Sequence, residues 1–256
     1  MASVQQLAAD LRAGKAIYPH WCGIPHPSVA GILAREPGFG AVTLDLQHNP
    51  MDFHTALQAI AMVAAAGKPC VVRIPVEEFQ SASRFLDAGA SGIIAPMINS
   101  VADARRFVEF TKFPPVGGRS WGPVGAMTLT GLSADAYFKT ANDFSVTFAM
   151  IETREALDAV DDILAVDGID GIFIGPADLS IGLSRGAELN PMGKAVDDAL
   201  DHAAARAKAA GKFAGSYTGT GERAADNVRR GYGFVAIGSD AVFLKAGAAA
   251  LRKAAG

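Results

Sequence analysis

The sequence predicts an α/β fold of the (β/α)8, or TIM, barrel class, and three observations carry that expectation. Short runs rich in Val, Ile and Phe alternate along the whole chain with Ala-rich segments of helical spacing. This is the pattern of βα units around a parallel sheet. Gly67, Gly89, Gly168, Gly211 and Gly231 each follow a helical segment and precede an apolar run, as C-terminal helix stops should. The 256 residues match the roughly 250 of a typical barrel.

Taken in order, residues 1–15 read as a mildly amphipathic helix, ahead of a first strand at 16–20 and a helix at 27–35. A strand at 40–46 leads to a helix at 53–66, a strand at 70–74 to a helix at 79–88, and a strand at 92–95 to a helix at 101–110. The second half repeats the unit: strand 145–151 with helix 154–166, strand 171–174 with the helix 191–210, strand 213–216 with helix 222–230, and strand 234–237 with helix 239–252. Residues 113–133, which contain PP, GGR and WGP, are expected to form a long loop, and long loops in compact domains tend to be functional. No linker rich in Ser, Gly or charge interrupts the series, so residues 1–256 are expected to form one domain. An open doubly wound sheet is the rival, but it calls for a Gly-rich turn after the first strand, and the turn here is HWCGIPHP.

Composition narrows the function. Half of the residues are hydrophobic, yet 19% are charged and the net charge is −3. No apolar run approaches the roughly 20 residues of a membrane helix, and no basic stripe argues for nucleic acid or a membrane surface. The N-terminus lacks the apolar core of a secretory signal, so a cytoplasmic enzyme is expected. Cys22 and Cys70 stand far apart without a CxxC partner and read as small buried apolar residues.

Barrel enzymes work at the C-terminal ends of their strands, so polar residues there are the candidates. His20 and Trp21 follow the first strand, Asp45, Gln47 and His48 the second, and Arg73 ends the third. Glu152 ends the fifth, Gly175, Pro176, Ala177 and Asp178 follow the sixth, and Ser216 and Tyr217 end the seventh. Two carboxylates, Glu152 and Asp178, would thus face one mouth from neighbouring strands, and such hard donors suit Mg2+ or Mn2+. Either could instead cap the helix that follows it. Arg73 can hold a carboxylate or keto oxygen, or form a structural ion pair. His48 can move protons near neutral pH, or be an exposed loop residue. His26 and His54 read as helix-start residues and His202 as surface. A short helix starting after Gly175 would aim the Ala177 and Asp178 amides outward, a weak anion site. No lysine falls at a strand end; Lys68 and Lys212 precede strands, and Lys112 and the others read as helix or surface positions. A Schiff-base aldolase needs such a lysine, so aldol chemistry here would need a metal.

The motifs LDLQH, VVRIP, FLDAGASGIIAPM, PPVGGRS, IET and DGIFIGPADLS, in that order over nearly the whole chain, resemble the HpcH/HpaI family of class II pyruvate aldolases. The resemblance implies that Glu152 and Asp178 ligate Mg2+, Mn2+ or Co2+, and that a 2-keto acid chelates the cation while the Ala177 and Asp178 amides receive its carboxylate. It implies that Arg73 contacts the keto oxygen, that His48 paired with Asp87 activates a metal-bound water that takes the methyl proton, and that Arg119 is a loop arginine near the mouth. Gly175, Pro176 and Trp21 would complete the substrate site. The implied activity is reversible cleavage of 4-hydroxy-2-keto acids, with pyruvate or hydroxypyruvate as donor and an aldehyde as acceptor. A homohexamer, a trimer of dimers exchanging the last helix, is implied as well. The family often has Asp-x-Glu-His where this chain has Asp45-Leu46-Gln47-His48, and Gln two residues before the metal Glu where this chain has Met150. Two other activities compete: a CoA-ester lyase of the citrate lyase β-chain type, which needs a basic surface absent here, and a non-catalytic keto-acid-binding barrel.

Overall fold

The computed structural model describes residues 3–256. Eight parallel strands pair in the order β1 to β8: β1 (Pro19–Cys22), β2 (Ala41–Asp45), β3 (Cys70–Arg73), β4 (Gly92–Ala95), β5 (Val146–Ile151), β6 (Gly171–Ile174), β7 (Phe213–Thr218) and β8 (Phe234–Ile237). The ring closes through Ile17, which bridges Phe234; its amide donates to the Gly233 carbonyl at 2.8 Å and its carbonyl accepts from the Val235 amide at 2.9 Å. The (β/α)8 expectation is met.

The helices are α1 (Ser3–Arg12), α2 (Pro27–Leu33), α3 (Phe53–Ala65), α4 (Phe79–Ala88), α5 (Val101–Thr111), α6 (Val124–Thr130) and α7 (Ala134–Phe144). After β5 come α8 (Arg154–Asp158), α9 (Val160–Leu164), α10 (Pro176–Ser184), α11 (Lys194–Ala209), α12 (Gly221–Arg230) and α13 (Asp240–Ala254). The glycine stops are real: Gly89 and Gly231 end α4 and α12 at φ of 107° and 109°, a region where a side chain is disfavoured.

Differences from the sequence expectation have local causes. The first strand starts at Pro19 and runs through Trp21 and Cys22, because its register with Ala41–Leu44 continues past His20. Trp21 therefore lies in the strand, not after it. The stretch 113–133 holds α6, and α7 follows it; both pack on α1 or α4 rather than being open loop. The helix expected at 154–166 breaks at Ala159 (φ −94°, ψ 8°), and α11 begins at Lys194 rather than residue 191. Lys112 is a correction of another kind. It is buried, and its Nζ donates to the Asn142 and Ser145 carbonyls at 2.9 and 2.6 Å and pairs with Asp170 at 2.7 Å. These partners lie where β5 and β6 begin, the end opposite the mouth.

Two hydrophobic layers make the core. One fills the space between strands and helices. The other fills the barrel, where Phe148, Phe173 and Phe234 are mutually packed with ring centroids 5.5–6.4 Å apart and Trp21 stacks on Phe173 at 5.7 Å. Val4, Leu7, Ala8 and Leu11 of α1 are buried in this second cluster, so α1 seals the lower end. Phe148→Ala removes the central ring from a place with no room to collapse. It is expected to cost about 3–5 kcal/mol, seen as a fall in Tm of roughly 10 °C in thermal unfolding.

Candidate active site

Strands β1, β2, β3, β5, β6 and β7, with the segment that follows β8, send residues to one cavity of about 480 Å3 at the upper end of the barrel. Trp21, His48, Arg73, Gly175, Pro176, Ala177 and Asp178, all candidates from the sequence, line it. No lysine is among the lining residues.

Arg73 is the best-held side chain. Its Nε and Nη2 donate to Asp45 Oδ1 and Oδ2, both at 2.8 Å, and its guanidinium lies 4.9 Å from the Trp21 ring centroid. The fork leaves the remaining donors aimed at the cavity. So the structural ion pair is present, and it fixes Arg73 where a substrate can reach it. Burial alone would raise the Asp45 carboxyl, but the bonds and charge of Arg73, with the Gln47 amide and Trp21 indole, hold it below its ordinary value. Asn49 Nδ2 adds a further bond to Asp45 at 2.6 Å.

Glu152 follows β5 and is 1% exposed. It does not cap α8, because the Thr153 hydroxyl does so by accepting from the Ala156 amide. Its Oε1 accepts from the Met97 amide at 2.8 Å, while Oε2 is buried without a partner. Met97 reaches it from the left-handed region, φ 55°, an uncommon and strained conformation for a non-glycine residue. Gly175 faces the same carboxylate: a Cβ there would lie 2.6 Å from Oε2 and 2.5 Å from Met150 Cε. Burial pushes the Glu152 carboxyl up to about 7; the nearby Asp178 charge adds to this, while the Met97 amide and Arg73 oppose it.

Asp178 sits exposed in the first turn of α10, whose N-cap Gly175 offers no side chain to the free amides. Pro176 has no N–H, so Ala177 and Asp178 present the first open donors. A bare buried carboxylate oxygen, a second carboxylate beside it and uncapped amides fit a hard divalent cation that also carries a chelating ligand. Among the described residues no group of three or more His, Cys, Asp or Glu forms, so ligand oxygens must complete the shell.

Other expected residues fall elsewhere. His48 is exposed at the rim. Asp87, in the last turn of α4, lies at the lower end near the start of β4, where Arg119 Nη2 donates to it at 2.7 Å. Arg119 is buried against Phe113. Neither Asp87 nor Arg119 lines the cavity, so within one chain Arg119 is not near the mouth and Asp87 does not meet His48. His20 points away from the barrel interior, stacked on Phe39 at 3.5 Å, and burial lowers its imidazole to about 4. His26 caps α2, as expected of a helix-start residue.

Sequence reasoning missed Met97, Asn49 and Asp240. Asp240 opens α13 and its Oδ2 accepts from the Gly23 and Ile24 amides at 2.8 and 2.7 Å, shaping the cavity wall. A carboxylate directly after an apolar strand and a Gly-Ser turn was the available signal.

Because the Glu152 carboxyl titrates near 7 in the fold against 4.5 ordinarily, the folded state holds its proton more tightly. The stability this contributes is present below the ordinary value and is lost as pH rises through the folded one. In chelator-treated protein, Glu152→Gln is therefore expected to gain about 2 kcal/mol relative to the native chain between pH 5 and pH 8. Urea unfolding at the two pH values measures it, and a pH-independent difference contradicts it.

Residues 21–246 match the family model described as HpcH/HpaI aldolase/citrate lyase. A hydroxypyruvate/pyruvate aldolase of Rhizorhabdus wittichii is 37% identical over 92% of both chains. A 4-hydroxy-2-oxo-heptane-1,7-dioate aldolase of Klebsiella pneumoniae is 34% identical over 94% of this chain and 90% of its own. The crystal structure of an HpcH/HpaI aldolase from Desulfitobacterium hafniense superposes with a TM-score of 0.88 at 26% identity, covering 97% of this chain and 95% of that one. The chain therefore belongs to the HpcH/HpaI aldolase family and is a carbon–carbon lyase.

Proposed function

We propose that residues 1–256 form one aldolase domain that cleaves and forms 4-hydroxy-2-keto acids, with pyruvate or hydroxypyruvate as donor and an aldehyde as acceptor. Glu152 and Asp178 hold Mg2+, Mn2+ or Co2+. The observation that carries this reading is the buried Glu152 oxygen with no partner, beside Asp178 and across from Arg73. Relatives named as aldolases of pyruvate, hydroxypyruvate and a 4-hydroxy-2-oxo diacid support the substrate class.

A divalent cation held there supplies Lewis-acid polarisation of the keto group. The Ala177 and Asp178 amides at the α10 N-terminus receive the donor's carboxylate. Arg73, locked by Asp45, donates to the keto oxygen and meets the negative charge that grows there when the methyl proton leaves. His48 takes up this proton through an intervening water rather than directly. Pro176 and Trp21 wall the donor. Met150, which replaces a hydrogen-bonding residue often found in the family, offers it only an apolar surface.

The enzyme is proposed to act in the cytoplasm as a hexamer. Its two free cysteines suit a reducing compartment, and among the described residues no helix is long and apolar enough to cross a membrane. Beyond Asp240, α13 packs Phe243 edge-on against His20 and Phe39 at 5.3 and 6.0 Å, while Val242, Leu244 and Leu251 are 49%, 60% and 76% exposed. Exchange of this helix between subunits would cover them. Since Asp87 and Arg119 lie at the end opposite His48 in one chain, the His48–Asp87 pair is proposed to form between chains.

Chelation is expected to abolish exchange of the pyruvate methyl protons in D2O, and Mn2+ to restore it. Glu152→Ala should lose Mn2+ binding by calorimetry. Arg73→Ala should keep the ion while exchange falls about 10²–10³-fold; full exchange in Arg73→Ala contradicts its role, and exchange without metal contradicts the reading as a whole. Mixing His48→Ala with Asp87→Ala subunits after joint refolding should recover part of the activity that each lacks alone. No recovery in mixed oligomers rules out pairing across subunits.

A further inference from the structure

Pro176, Ala177 and Tyr217 form a wall with two sides. One faces the active-site cavity, and the other faces a second cavity of about 310 Å3 between α10, α11 and α12. Pro191, Met192 and Leu200 give this chamber apolar sides. Its polar side chains are Thr218 at the end of β7, Thr220 at the N-cap of α12, and Arg223 and Asn227, which stand one turn apart on α12.

Arg223 and Asn227 are deeply buried, at 8% and 1% exposure. Asn227 Nδ2 donates to Ser216 Oγ at 2.9 Å, but its Oδ1 accepts nothing. A buried acceptor left bare is costly and calls for a donor. The Arg223 guanidinium pairs with Asp197 at 2.6 Å, which leaves N–H donors to spare. Asp197 also pairs with Arg230, which in turn pairs with Asp201, and Glu222 lies in the first turn of the same helix. The arginines are thus matched by acids, and no net charge asks for an ionic ligand. A carboxylate would face the Asn227 oxygen with no proton to give, and an ammonium would face Arg223. A hydroxyl group accepts from one and donates to the other.

We propose that this chamber holds the distal end of the acceptor aldehyde and selects a neutral, mainly apolar chain that ends in a hydroxyl group. The proposal rests on the aldolase reading above and adds the acceptor class to it. Tyr217 lines both spaces. Its ring packs edge-on against Trp21 at 5.5 Å, and burial raises its phenol, keeping it neutral.

With saturating pyruvate and Mn2+, the native enzyme is expected to use 6-hydroxyhexanal about tenfold better than hexanal in kcat/KM. Asn227→Leu should erase that preference and leave glycolaldehyde turnover unchanged. Leu200→Phe, which narrows the chamber, should lower kcat/KM at least fivefold for both six-carbon aldehydes and spare glycolaldehyde. Equal use of hexanal and 6-hydroxyhexanal by the native enzyme overturns the assignment without any variant, and so does a preference that survives Asn227→Leu. Failure of the native enzyme to use glycolaldehyde as well overturns the aldolase reading itself, and the chamber assignment with it.

Discussion

A carboxylate kept out of water sets the terms for the rest of the site. Glu152 is delivered by β5 into a place where one oxygen has the Met97 amide and the other has nothing. Ionising such a group without compensation is expensive, which is why its carboxyl sits near 7. The fold accepts further cost to keep it so. Met97 takes a left-handed backbone to aim its amide, and position 175 lacks a side chain that would press on the free oxygen. These features make sense together if a positive charge completes the site, because each of them would be a defect without one.

Arg73 answers the same electrostatic problem differently. Its charge is matched within the protein by Asp45, in a two-bond fork with Asn49 and the Gln47 amide behind it. Pairing removes most of the penalty of burial and fixes the planar guanidinium to one orientation. The mouth thus holds a satisfied pair and an unsatisfied carboxylate side by side. In the proposed reaction, charge developing on a bound keto acid would meet a preorganised donor in Arg73 and the Glu152–Asp178 pocket, with little reorganisation needed.

Much of this was legible in the sequence because a parallel barrel buries its strands on both faces. The runs became contiguous apolar segments ended by one polar residue, and β4, β6 and β8 emerged with the expected bounds. Strand β1 was harder: Ile17 contributes only a closing bridge, while His20 and Trp21 resemble loop residues until Phe39 and Phe173 pack on them. Helix α6 hid within a stretch of Pro and Gly, and α7 follows directly from it. Lys112 read as a surface residue because its three acceptors come from distant segments. The same holds for Asp87. Its motif is local, but its partner Arg119 and its place at the lower end depend on how α4 packs. Met97 left no signal, since a backbone amide has no residue type to betray it.

The two ends of the barrel divide the work. At the lower end, charges are used up: Lys112 spends all three donors, and α1 closes the core beneath the aromatic cluster. At the upper end, polar groups are left with capacity to spare. Asp240 connects this upper end to the outside. Its carboxylate holds the Gly23–Ile24 turn that walls the cavity, yet the helix it begins is exposed almost along its whole length. Within its own chain this helix is anchored through Asp240 and Phe243, so anything that fixes α13 from outside also fixes the cavity wall through Asp240. Packing of α13 against another subunit would therefore steady the site as well as cover an apolar surface, and assembly and catalysis would share a single residue.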